Sequence, residues 1–177
     1  WARSANYYNL LKSKGIPNAV LAKMSEDNDE VLDHLGNPRQ NAHWDVRGLV
    51  IGEVQSGKTS NYIGLMNKAA DAGYKVFILL TGNTNSLRQQ TQMRVDEGFI
   101  GFKAIHGSKG AVKNHEQVGV GLFKKQVTGM LSLTTQVSDF SKSIGQAVIN
   151  QVGNDTILVF VTKKTKSILE NIDAWLS

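Results

Sequence analysis

The chain has 177 residues, about one domain's length, with 41% apolar and 20% charged residues, a formal net charge of +5 and no cysteine. These values exclude wholesale disorder, disulfides, thiolate metal sites and a cysteine nucleophile. No run approaches the roughly 18 apolar residues that span a bilayer, no signal peptide is visible, and His34, His43, His106 and His115 lack metal-ligand spacing. The expectation is therefore a cytoplasmic protein with no membrane partner, and Trp1 in place of an initiator Met reads as a trimmed chain or a fragment.

In chain order, residues 1–25 read as helical, with a break at Gly15-Ile16-Pro17. A second short helix is expected from Ser25, where Asp27, Asp29 and Glu30 suit a helix N-terminus, ending at Gly36-Asn37-Pro38. The segment 39–44 reads as a loop with Trp44 as a core plug; alternatively Gln40 reads an adenine edge with its amide. Then comes an apolar run, Val46 to Ile51, expected to be a strand. It leads into Gly52-x-x-x-x-Gly57-Lys58-Thr59, the complete phosphate-binding loop pattern.

The chemistry asks for these residue types. Two glycines let the backbone turn tightly so that N–H groups of Val54, Gln55, Ser56, Gly57 and Lys58 converge on phosphate oxygens. Lys58 reaches the β- and γ-phosphates, the Thr59 hydroxyl ligates Mg²⁺, and Ser60 continues the first turn of the next helix, whose positive end faces the same phosphates. The bland alternative is an ordinary glycine-rich turn.

A helix is expected from Thr59 to about Ala72, stopped by Gly73, and then a strand Val76–Leu80 whose continuous apolar run suggests burial on both faces. Strand, loop, helix and strand make a right-handed βαβ unit. Thr81–Ser86 is turn chemistry with a helix cap. The following helix, Leu87 to about Glu97, is polar, with Leu87, Thr91 and Val95 as its expected buried stripe. Short strands are expected at 102–105, 118–122 and 130–134 and a helix at 143–151. Ile157–Val161 reads as a second buried strand, followed by Thr162-Lys163-Lys164-Thr165 and a helix carrying Ile168, Leu169, Ile172 and Leu176. Residues 1–97 hold 11 Lys/Arg against 10 Asp/Glu, and residues 98–177 hold 9 against 5. That basic excess suits a phosphate backbone, and equally a solvated basic face.

Two stretches, Arg47–Tyr62 with Ala69–Lys75 and Asn85–Arg94, together with Val161–Thr165, resemble the Z1-domain proteins of bacteria, an endonuclease family with a superfamily 2 helicase-like ATPase core. The likeness is close over 44–101 and present at 155–177. The family has Gly-His-Val where this chain has Gly52-Glu53-Val54.

The resemblance implies a three-layer α/β P-loop (RecA-like) domain at 44–177, with a mostly parallel sheet, after an N-terminal helical extension at 1–43. It implies ATP and Mg²⁺ as cofactors, ATP/ADP as ligands and DNA as partner through its backbone, with Lys58 as the catalytic cation and Asn85, Arg88, Arg94, Thr162, Lys163 and Lys164 as nucleic-acid contacts. A restriction or phage-defence role is what the family suggests. The acid that such an ATPase needs at a strand end is found neither after Val76–Leu80 nor after Ile157–Val161, so it is expected beyond Ser177, with the second motor domain in the remainder of the parent chain. Asp139 and Asp155 are the spare candidates. The rival readings are a P-loop kinase, for which no Arg-rich lid is seen, and a nucleotide-binding switch module.

Overall fold

The computed structural model describes residues 1–40, 45–51, 57–106, 112–123 and 129–177. The chain packs as two compact units, Trp1–Tyr74 and Lys75–Ser177. That boundary lies well past the 43/44 division expected from the sequence, and it places the helix after the glycine-rich segment in the first unit.

The first unit is helical among its described residues: α1 (Ala2–Ser13), α2 (Asn18–Asp33) and α3 (Lys58–Ala72), with α1 and α2 both packed on α3. Pro17 stands at the N-cap of α2, where its fixed φ and missing N–H do no harm. The helix then runs straight through Ser25, which caps nothing. Instead the Ser25 carbonyl and hydroxyl both accept from the buried Lys68 ammonium, at 2.9 and 2.8 Å, and Asp29 pairs with the same group. A serine with acids behind it looked like a helix start because the cation that engages it lies 43 residues away in sequence. Gly64 lets α3 approach α2: a Cβ there would lie 2.7 Å from the Asn28 amide nitrogen.

Val46–Ile51 does not form the expected strand. It pairs with nothing among the described residues, and Leu49, Val50 and Ile51 are 84%, 62% and 87% exposed. A strand needs a ladder partner for its N–H and C=O groups, and β-propensity alone does not supply one. The βαβ unit expected from that strand is accordingly not formed.

The second unit is α/β. Its main sheet is parallel, in the order β1 (Val76–Thr81), β5 (Ile157–Lys163), β4 (Met130–Ser132). The hairpin of β2 (Phe102–His106) and β3 (Val112–Gln117) is a separate antiparallel pair with an irregularity between Lys103 and Ala104. Helix α4 (Asn85–Val95) packs on β5 and β1 and runs into a π-helical turn, Asp96–Ile100. Helices α5 (Lys142–Val148) and α6 (Lys166–Leu176) cover Leu158 and Phe160 of β5, in a core with Leu131, Leu133, Phe140, Ile144, Val148 and Ile172. Residues 119–122, expected as strand, form a 3₁₀ turn.

The α4 stripe also differs from expectation. Arg88, Gln92 and Val95 face inward, while Leu87 is half exposed. The helix is turned so that Arg88 meets the carbonyls of Thr135, Gln136 and Val161 and Gln92 meets the hydroxyls of Ser132 and Thr134, so its buried polar groups are hydrogen-bonded.

Candidate functional site

In the first unit the candidate site is the start of α3. Gly57 is the N-cap, in the left-handed region at φ +79°, where a side chain is disfavoured whatever the space around it. Lys58, Thr59 and Ser60 follow as the first helical turn, closed by the Asn61 N–H donating to the Gly57 carbonyl at 3.0 Å. Lys58 is exposed; Thr59 and Ser60 are half-buried. The Tyr7 hydroxyl of α1 donates to the Ser60 carbonyl at 3.1 Å and ties this turn to the helical pair beneath it. Gly52, Val54, Gln55 and Ser56 lie outside the described residues.

In the second unit the parallel register sets Thr81 of β1 beside Lys163 of β5, so the segments leaving both strands share the carboxyl rim of the sheet. The Lys163 ammonium donates to the Asn85 side-chain carbonyl at 2.8 Å, and the Thr81 hydroxyl donates to the Thr162 carbonyl at 3.2 Å. Lys164 is exposed on the same rim. Thus Asn85, Thr162, Lys163 and Lys164 are brought together.

Arg88 and Thr162, however, face inward: they are 2% and 0% exposed. The Arg88 guanidinium donates to the carbonyls of Thr135 (2.7 Å), Gln136 (2.8 Å) and Val161 (3.4 Å) and lies 3.9 Å from Asp139. Burial weakens its grip on its proton, offset by the Asp139 and Asp96 carboxylates. It braces two backbone segments, 135–136 and the end of β5, and is not on the surface. Arg94, in the last turn of α4, lies about 14 Å along the helix axis from the rim, at 1.5 Å per residue.

The two spare acids separate. Asp155 pairs with Lys75 at the amino end of the sheet, away from any strand-end chemistry. Asp139 sits at the carboxyl end of β5, but its oxygens accept the N–H groups of Phe140 (2.8 Å) and Lys163 (3.2 Å). Among the described residues no group of acids or histidines is arranged to hold a metal ion.

Sequence reasoning missed Asp96. It is 1% exposed, accepts from Gln92 (2.8 Å) and Gln136 (3.2 Å), and its pKa is raised to about 6. Burial drives the rise against the opposing pull of both amides, Arg88 and Lys103. The i,i+4 spacing of Gln92 and Asp96 was the only local signal. Gln92 also accepts from the Thr134 hydroxyl, which in turn receives the Val161 N–H.

No family model matches the chain, and no curated protein and no solved structure matches it. What the structure defines is an α/β protein with a three-stranded parallel sheet, in which no described helix is long and apolar enough to cross a membrane.

Proposed function

We propose that Gly52–Thr59 cradles the phosphates of ATP with Mg²⁺, and that the chain is the nucleotide-binding part of a helicase-like ATPase acting on DNA. One observation carries the reading. The Gly-x-x-x-x-Gly-Lys-Thr pattern ends where a 15-residue helix begins, with a left-handed glycine at the N-cap. The N-terminal end of a helix dipole favours an anion there, and among the described residues nothing lies within 4 Å of where a Gly57 Cβ would stand. Lys58 supplies a point charge to the β- and γ-phosphates, and Thr59 holds the metal, which neutralises phosphate charge when bound.

Asn85, Lys163 and Lys164 at the carboxyl rim suit a nucleic-acid backbone. Arg88 and Thr162 leave that role by burial and Arg94 by distance, so the DNA reading stands on fewer groups than the sequence offered. The nuclease and phage-defence reading rests on the family resemblance alone. Against the ATP reading stands the unpaired Val46–Ile51, and direct binding is therefore the deciding measurement. In calorimetry with ATP and Mg²⁺, Lys58→Ala should weaken affinity tenfold to a hundredfold, the worth of about 1.5–3 kcal/mol in a charge-assisted contact. Equal affinity in wild type and variant overturns the proposal.

A further inference from the structure

We infer that the cavity beside the start of α3 seats the base of the nucleotide, and that adenine is the base it favours; the inference rests on the phosphate-loop reading. The cavity, about 490 Å³, opens between α1, the turn after it, α2 and the first turn of α3. That volume falls within the roughly 300–1,000 Å³ of small-molecule sites. Its walls are apolar: Ile16 from the turn, Val20 and Met24 from α2. Ile16 and Val20 remain 36% and 54% exposed, so a flat ring laid between them removes apolar surface from water.

Position selects the occupant. Gly57 and Ser60 line the cavity, and they belong to the turn that faces the phosphates in the proposed reading. One molecule can then place its phosphates at the helix end and its base in the cavity. Asn61, on the same turn, also lines it, and its side-chain amide has no hydrogen-bond partner among the described residues. A carboxamide offers one donor and one acceptor side by side, the complement of the adenine N6–H and N7 edge, whereas the guanine O6 and N7 edge asks for two donors. Among the described residues that line the cavity the one cation, Lys23, is paired with Glu26 (3.3 Å) and Asp27 (2.9 Å). Gln40, the base contact suggested by sequence, is exposed and is not among the residues lining this cavity.

The test is calorimetry on the 177-residue chain with the Mg²⁺ complexes of ATP, GTP and inorganic tripolyphosphate, for wild type, Asn61→Ala and Val20→Glu. Val20 is more than half exposed, so its replacement is compatible with folding, and circular dichroism melts check both variants. ATP should bind at least tenfold tighter than tripolyphosphate and tighter than GTP. Asn61→Ala should cost ATP roughly threefold to tenfold and tripolyphosphate nothing, as expected for one neutral hydrogen bond to the base. Val20→Glu should cost ATP at least as much. Equal binding of ATP and tripolyphosphate, or an unchanged ratio in both variants, overturns the base seat and spares the phosphate loop. GTP binding as tightly as ATP overturns the adenine preference. Failure of the wild type to bind either ATP or tripolyphosphate overturns the loop reading and the seat with it.

Discussion

β1 and β5 are hydrogen-bonded neighbours in one parallel sheet, and both open on five consecutive apolar residues, yet they live in different surroundings. In β5, Val159, Phe160 and Val161 are each 0% exposed; in β1, Val76, Ile78 and Leu80 are 43%, 41% and 50% exposed. The register explains the difference. Ile78 lies beside Phe160 on the face that α5 and α6 cover, but those helices reach over β5 and leave β1 open. The other face of β1 is better served, with Phe77 edge-on to Phe99 at 4.9 Å.

The edges differ as well. β5 is paired on both sides, and where β4 ends the Thr134 hydroxyl takes over by accepting the Val161 N–H. Among the described residues, β1 has a partner on one side only. A buried strand is thus a property of its neighbours as much as of its own residues.

The largest test of this contrast is Phe160→Ala. The ring packs edge-on against Phe140 (5.2 Å) and Trp175 (6.0 Å), and its loss should cost about 3–5 kcal/mol in urea denaturation, enough to leave the second unit marginal.

A smaller effect follows from Asp96, whose hydrogen bonds reach β5 through Gln92 and Thr134. Its folded pKa of about 6 lies above the roughly 3.9 of an unfolded aspartate, so between those values the native state holds a proton that the unfolded chain releases. This contribution is fully present below about pH 4 and is lost as pH rises to about 6, by about 3 kcal/mol at roughly 1.4 kcal/mol per pH unit. Asp96→Asn should flatten that slope in denaturation midpoints measured from pH 4 to 7. A variant with the wild-type slope means that another group titrates.

The smallest effect belongs to Leu80→Thr on the open face of β1, expected to cost about 0.5 kcal/mol or less in the same assay. A loss comparable with that of Phe160→Ala would show that the face is covered in solution, and the contrast between the two strands would fall.

The amino-acid sequence by itself determined the elements whose signals are local. α3 ends where Gly73 allows a left-handed C-cap, α6 follows from its helical spacing of apolar residues, and β1 and β5 follow from β-branched runs. The helix expected from Thr59 begins one residue earlier, at Lys58, and the tight turn expected of the glycines is seen at Gly57 as a left-handed N-cap, because backbone conformation at a helix end depends on a few adjacent residues. Only the tertiary structure decided that α2 passes through Ser25, that Val46–Ile51 stays out of the sheet, and that Arg88 points inward. Each depends on a partner distant in sequence: Lys68 for Ser25, a ladder strand for the apolar run, and the carbonyls of Thr135, Gln136 and Val161 for the guanidinium. A buried polar group is recognised by the groups that satisfy it, and these lie outside any local window.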